Sequence, residues 1–364
     1  MRIVAVDLFA GMGGFTEGAI QGGAEVILSV DSESDMVNVH KKNHPAVRVE
    51  QTLLGNPDWH IGLIRMLEPY RGSSIYPDYF HIHIHGSPPC QALSNASSTN
   101  AEEGMVLVNW FLDTVKKLKE AGLCDSWSME NVVPVRKRLP DWVPSVILNS
   151  ADFGVAQTRS RCWAGEGWFA EPTHSREEWV GVIDALPYLA DELYEGRLVV
   201  PIQRKVGVLK ANGRILQPLW REIDDPINTI TGARCHIGTQ KEDIPRKELG
   251  TAWAKPQTPS RKVVVNTAGC GASTSKAGTT RDSPIEDPSK TIHNNMPTLR
   301  DLTFDKPTKI RALTMEETLV LQGFDPCFDM SPAKTMKSRW TMVGNAVPPP
   351  VARAVIRGIG KCQN

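Results

Sequence analysis

The first 165 residues alternate short apolar runs with longer stretches whose apolar positions recur every three or four residues. That alternation predicts strands and helices taking turns, and hence an α/β unit on a mostly parallel, doubly wound sheet. Strands are expected over residues 3–9, 25–30, 79–85 and 126–130, and helices over 15–21, 36–43 and 106–121. A turn and a further strand are expected within 151–163. In such a sheet, ligands sit at the carboxyl ends of the strands. From about residue 197 the helical patterns stop, and Gly, Pro, Thr and Lys surround short β-like runs such as 262–265. Residues 311–323 return to a helical pattern, and an apolar helix over 351–359 follows a Pro-rich turn. The expected division is a main domain of residues 1–190, completed by 335–364, and a smaller, irregular, β-rich domain over 191–334.

A chain of 364 residues accommodates one large or two modest domains. No run of about 18 apolar residues occurs, so no membrane association is expected. Lys plus Arg and Asp plus Glu number 41 each, and this neutrality excludes a uniformly basic binder but not a local basic face. The charge is in fact uneven: residues 197–309 hold 19 Lys/Arg against 11 Asp/Glu, and the remainder holds 22 against 30. The seven cysteines are widely spaced and form no CxxC pair, so a reducing, cytoplasmic setting is expected.

Four constellations could carry chemistry. Asp7-Leu8-Phe9-Ala10-Gly11-Met12-Gly13-Gly14 runs from a strand into a helix through a Gly-rich turn, which lets a ligand approach the helix N-terminus. Asp31, ending the next strand, is placed to accept bonds from ribose hydroxyls. Gly86-Ser87-Pro88-Pro89-Cys90-Gln91 leaves a strand as a stiff turn that would present the Cys90 thiolate as a nucleophile. Glu130, in Met129-Glu130-Asn131-Val132, could bind a base edge or manage a proton. Gln157-Thr158-Arg159-Ser160-Arg161 puts two arginines on one face of a strand, where they could hold a carboxylate or an exocyclic oxygen.

These elements, in this order, resemble the cytosine-C5 DNA methyltransferase family. The C-terminal part agrees, with Arg311-Ala312-Leu313-Thr314-Met315-Glu316-Glu317, Leu321-Gln322-Gly323-Phe324 and Gly344-Asn345-Ala346-Val347-Pro348-Pro349. The resemblance implies a Rossmann-like S-adenosylmethionine methyltransferase fold with a second, target-recognition domain in the basic segment. It implies methyl transfer to C5 of a flipped-out cytosine in double-stranded DNA, with S-adenosylhomocysteine as the other product. Catalysis would fall to Cys90, Glu130, Arg159 and Arg161. Cofactor binding would fall to Phe9, Ala10, Gly11, Gly13, Gly14, Asp31, Pro89 and Asn345. Ser87, Gln91, Ser94, Thr229 and Thr291 would contact nucleic acid; the two threonines lie in a repeated Pro-x-x-Thr-Ile patch. The loop 92–104 would close over the target base.

One departure concerns the stretch Val49-Glu50-Gln51-Thr52, which stands where the family shows a Gly-Asp pair toward the adenine, leaving Glu50 or Asp58 as substitutes. His81, His83 and His85 alternate along a strand with a spacing that can bind zinc. On a strand that is normally apolar in the family, a structural role and no metal are expected. A monomer working in a bacterial, archaeal or viral setting is expected, with a restriction endonuclease for the same site as a candidate partner. The competing readings are methylation of cytosine in transfer RNA and a non-catalytic DNA-binding relative.

Overall fold

The computed structural model describes residues 1–72, 79–89, 101–188, 220–222, 226–228, 236–239, 263–266 and 311–361. Its centre is a seven-stranded sheet made of β1 (Ile3–Leu8), β2 (Ala24–Asp31), β3 (Val49–Gln51), β4 (His81–Gly86), β5 (Ser126–Asn131), β6 (Ser145–Asn149) and β8 (Ser160–Glu166). The order across the sheet is β3-β2-β1-β4-β5-β8-β6. β1 to β5 run parallel, while β8 runs antiparallel to both β5 and β6. The short β7 (Gln157–Thr158) pairs outside this sheet, with residues 227–228. Strand order reverses between β1 and β4, so the crevice for a ligand opens at their carboxyl ends.

The helices of the described residues include α1 (Gly14–Gln21), α2 (Ser34–Asn43), α3 (Trp59–Leu67), α4 (Ala101–Glu120), α5 (Met315–Gln322), α6 (Met336–Asn345) and α7 (Pro349–Arg357). The two sheet faces have different chemistry because side chains alternate along a strand. Val4, Val6, Leu8, Ile82, Ile84, Trp127 and Met129 form one buried core with Leu63 of α3 and Phe111 of α4. On the other face Ala5 and Val26 meet Phe15 and Ala19 of α1 and Val351, Ala352 and Val355 of α7.

Two glycines let α1 approach the C-terminal segment. A Cβ on Gly14 would stand 2.1 Å from the Val347 carbonyl oxygen, and one on Gly18 2.2 Å from that of Pro349. Any larger residue at either position would force α1 away from the C-terminal segment.

The helix α4 starts at Ala101, so residues 101–104 are helical where the sequence suggests a loop continuing to residue 104. Residues 311–312 form a short strand ahead of α5 rather than part of a helix. Leu313, Met315, Phe324, Phe328 and Ala333 share a buried core with Trp340 and Met342 of α6. Asn43 also donates to the Asp329 carbonyl at 3.0 Å and accepts from its amide at 2.7 Å. The packed body therefore extends N-terminally past residue 335, to Leu313. A separate four-stranded antiparallel sheet joins residues 220–222, 236–239, 263–266 and 311–312.

Candidate active site

The turn after β1 is built by backbone conformation. Phe9 takes φ 58°, Gly11 55° and Gly13 100°, so three of five consecutive residues are left-handed. That conformation is uncommon outside glycine, and Phe9 holds it while its ring packs edge-on against Trp110, with centroids 5.8 Å apart. A Cβ on Gly11 would meet nothing closer than Met36 Sδ at 3.8 Å, so the turn has an open side. Asp31 fixes it: Oδ2 accepts from the Gly11 amide at 2.8 Å and Oδ1 from the Glu33 amide at 2.9 Å. Burial pushes the Asp31 carboxyl above its ordinary value, and the backbone bonds oppose that. Each carboxylate oxygen keeps a second acceptor site, so two hydroxyls on adjacent carbons could still be bound. Glu50, in the middle of β3, accepts from Arg48 Nε at 2.7 Å. Asp58 stands at the N-cap of α3.

Asp7 lies beneath this turn, fully buried, with one oxygen accepting from the Thr16 hydroxyl at 2.8 Å and the other without a hydrogen-bond partner. Burial raises its carboxyl from 3.8 to about 7. The folded value lies above the unfolded one, so between about pH 4 and 7 the native state holds a proton that the unfolded chain has lost. Stability from this group is therefore full at low pH and is lost as the pH climbs toward 7. Asp7→Asn, which keeps an acceptor for Thr16, is expected to stabilise the protein by about 4 kcal/mol at pH 8 and by almost nothing near pH 3.5. Thermal unfolding of both proteins across that range checks it, and an equal gain at both ends would count against a buried titrating carboxyl.

On the neighbouring strands, Gly86 ends β4 where a Cβ would stand 2.4 Å from the Phe111 ring. The Ser87 amide then donates to the Leu8 carbonyl at 3.0 Å, and Asn131 Nδ2 to the Pro88 carbonyl at 3.1 Å. The Ser87-Pro88-Pro89 turn is thus anchored to β1 and β5 before the chain reaches Cys90. Asn131 is a positioning residue that its sequence context does not single out, because its partner is 43 residues away. Pro89 is exposed. Cys90, Gln91, Ser94, Thr229 and Thr291 lie outside the described residues.

Glu130 is buried on β5, opposite Trp163 of β8. Its Oε1 lies 3.1 Å from Arg161 Nε, without the alignment of a hydrogen bond. The result is a charge-compensated carboxyl with an oxygen still wanting a donor. Arg159 is buried as well, but its Nη1 donates to the Gly344 carbonyl at 2.8 Å. That bond joins the β7–β8 junction to the end of α6, where Asn345 is exposed. Gln157 donates to Gln322 at 2.6 Å, and Gln322 donates to the Ala346 carbonyl at 2.8 Å. The segment around Asn345 is therefore tied to the arginine strand on one side and to the Gly-rich turn, through Gly14, on the other.

Asp31, the Phe9–Gly13 turn, Ser87 and Glu130 thus stand at or next to the carboxyl ends of four adjacent strands, β2, β1, β4 and β5. The family profile for C-5 cytosine-specific DNA methylases matches residues 3–138 and 212–361. The chain belongs to that family. Among curated relatives, the Type II methylase M.HgiDII of Herpetosiphon aurantiacus is 22% identical, covering 97% of this chain and 94% of that protein. The Type II methyltransferase M.AplI of Arthrospira platensis is 23% identical over 98% of this chain and 86% of its own length. Among solved structures, the Entamoeba histolytica methyltransferase EhMeth superposes with a TM-score of 0.54 at 15% identity, covering 99% and 98% of the two chains. The S. pombe Dnmt2 methyltransferase gives 0.52 at 14%, covering 98% of each. These likenesses bear out the Rossmann-like methyltransferase fold expected of a C-5 methylase. Among the described residues no helix is long and apolar enough to cross a membrane, and no group of three His, Cys, Asp or Glu side chains could hold a metal ion.

Proposed function

We propose that this C-5 methylase transfers a methyl group from S-adenosylmethionine to C5 of a cytosine flipped out of a short, specific DNA sequence. The observation that carries the reading is the buried Glu130–Arg161 pair, with an unsatisfied carboxyl oxygen, beside the anchored turn that leads into Cys90. C5 of cytosine is a poor nucleophile and must be activated. The Cys90 thiolate forms a bond to C6, and the π pair of C5=C6 becomes available at C5. Glu130 hydrogen-bonds N3 and the exocyclic amino group, stabilising the charge that grows on the ring, and Arg161 holds Glu130 in place. After transfer, C5 loses its proton, the C5=C6 double bond reforms and the sulfur leaves C6 with its electron pair. Because both carbons lie within the duplex stack, the base has to be extruded first.

The residues present fit the cofactor. The Gly11 turn has an open side, the adjoining Asp31 keeps acceptor sites, and Asn345 is exposed, so these residues would hold S-adenosylmethionine, which supplies an electrophilic methyl group when bound. Phe9, Ala10, Gly13, Gly14 and Pro89 complete that assignment. Asp31→Ala is expected to weaken binding of S-adenosylhomocysteine about tenfold, the worth of a hydrogen bond to a charged group, with DNA affinity unchanged. Calorimetric titration measures both, and an unaltered cofactor affinity would remove Asp31 from the site.

The basic segment within 191–334 would serve as the target-recognition part, its lysines and arginines meeting phosphates while a few side chains read base edges. Thr229, Thr291, Ser87, Gln91 and Ser94 are assigned to the nucleic acid, and Arg159 to the catalytic group by way of Gly344. A restriction endonuclease of the same specificity would be the natural partner. Bisulfite sequencing of DNA from cells expressing the protein tests activity and target together. Methyl incorporation into transfer RNA but not duplex DNA, or into neither, would overturn the reading.

A further inference from the structure

The face of the sheet under α1 carries a row of polar groups that the chemistry above does not use. His81 Nε2 lies 2.8 Å from Ser126 Oγ, which lies 2.7 Å from His83 Nδ1. His83 Nε2 is 2.9 Å from Ser128 Oγ, and that oxygen is 2.8 Å from His85 Nδ1. His85 Nε2 then reaches Ser87 Oγ at 3.0 Å. The chain His81–Ser126–His83–Ser128–His85–Ser87 is thus unbroken from one end of β4 to the other. His83, His85, Ser126 and Ser128 are buried, whereas His81 and Ser87 at the two ends are half-buried. The β4–β5 register pairs His85 with Ser128 and Gly86 with Met129, so Ser87 comes level with Glu130.

We propose that this ladder is a proton relay linking the catalytic edge of the sheet to solvent at His81. The inference rests on the cytosine-C5 reading of the site. A neutral imidazole has one donor nitrogen and one acceptor nitrogen, and a serine hydroxyl donates once and accepts. Every link can therefore point the same way, in either of two directions. The proton lost from C5 bonds to Ser87 Oγ as the Ser87 proton passes to His85 Nε2. His85 Nδ1 gives its proton to Ser128, Ser128 to His83 Nε2, His83 Nδ1 to Ser126, Ser126 to His81 Nε2, and His81 Nδ1 to water. One proton enters, one leaves, and no ring ends up charged. An outward passage swaps every tautomer and an inward one restores them. That suits a reaction that loses a proton at C5 and reprotonates a departing thiolate.

The surroundings keep the rings neutral. Phe15 stacks on His85 at 3.6 Å and 3°, and Trp163 tilts over it at 5.7 Å. Burial pulls His83 down to about 3 and His85 well below its ordinary value. Among the described residues, the charged or titratable groups facing the ladder are Asp7 on the β1 rung beside His85, Glu130 at the inner end, and Arg71 with Asp125 near His81. Neutral buried rings favour a concerted passage over a stored imidazolium.

The test is a single-turnover reaction on duplex DNA carrying tritium at cytosine C5, following methyl transfer and tritium release together. Ser128→Ala removes the middle link with little change in volume. It is expected to leave methyl transfer near the wild-type rate and to slow tritium release about tenfold, within the range of general acid–base effects. The proton inventory of the release step should also change from curved to linear. His81→Gln keeps the bond to Ser126 but cannot exchange tautomers, and should slow release about fivefold at an unperturbed core. Its behaviour decides the matter if Ser128→Ala does not fold. Release keeping pace with transfer and an unchanged inventory in these variants would overturn the relay and leave the ladder structural. A wild-type protein that transfers no methyl group to duplex DNA would instead overturn the cytosine-C5 reading itself.

Discussion

Cys90→Ser is expected to abolish methyl transfer, by at least about a thousandfold, while DNA affinity stays within about threefold of wild type. The thiolate, not the thiol, attacks, and a cysteine near its free value of about 8.5 supplies some of it at neutral pH. A serine hydroxyl supplies almost no alkoxide, so the addition to C6 that activates C5 does not start. The described alternatives are poor ones. Cys124 and Cys162 are buried, and burial pushes their thiols up to about 12 and about 11, which keeps both protonated. Cys327 is exposed, beyond α5. Methyl incorporation into duplex DNA, set beside a binding isotherm and a denaturing gel for the protein–DNA adduct, measures all three effects. A variant keeping more than a tenth of the wild-type rate would move the nucleophile elsewhere.

The strands flanking the crevice were legible because burial on both faces leaves near-continuous apolar runs, as in Val4–Val6 and the run ending at Val30. Other elements hid their pattern. The first turn of α4 is Ala-Glu-Glu-Gly, with Glu102 exposed and no apolar spacing to mark it, whereas Gly104 and Met105 are buried, so periodicity marks the packed part of the helix and not its start. β6 is an edge strand whose Val146 and Ile147 stay about two-fifths exposed, so its apolar run did not announce a buried strand. The candidate site divided in the same way. Glu130 and the two arginines stood out as residue types in motifs, but their different partners did not: Arg161 turns to Glu130 and Arg159 to a carbonyl 185 residues away. The histidines were visible as an alternation, whereas Ser126 and Ser128 lay in a strand with nothing to single them out. That the serines mesh with the histidines depends on a parallel register between strands more than forty residues apart, which the histidine pattern does not contain.

Glu130→Gln should lower the rate of methyl transfer about a hundredfold to a thousandfold with little change in DNA or cofactor affinity. The amide is nearly isosteric and keeps an oxygen for the cytosine amino group. It cannot take up or give a proton at N3, and it no longer compensates the Arg161 guanidinium 3.1 Å away. The loss therefore falls on the step in which charge grows on the ring, and it appears in kcat rather than in KM. Arg161→Lys offers the complementary measurement. A lysine retains the charge but not the planar fork that reaches Glu130 through Nε while Nη1 donates to the Ser160 carbonyl at 2.9 Å. If the pair acts as one unit, the double variant Glu130→Gln, Arg161→Lys should be scarcely slower than the worse single variant. Steady-state kinetics on a duplex containing the target site give the four rates. Strictly multiplicative losses would show that the two side chains act separately, and a Glu130→Gln enzyme within threefold of wild type would take the carboxyl out of the chemistry altogether.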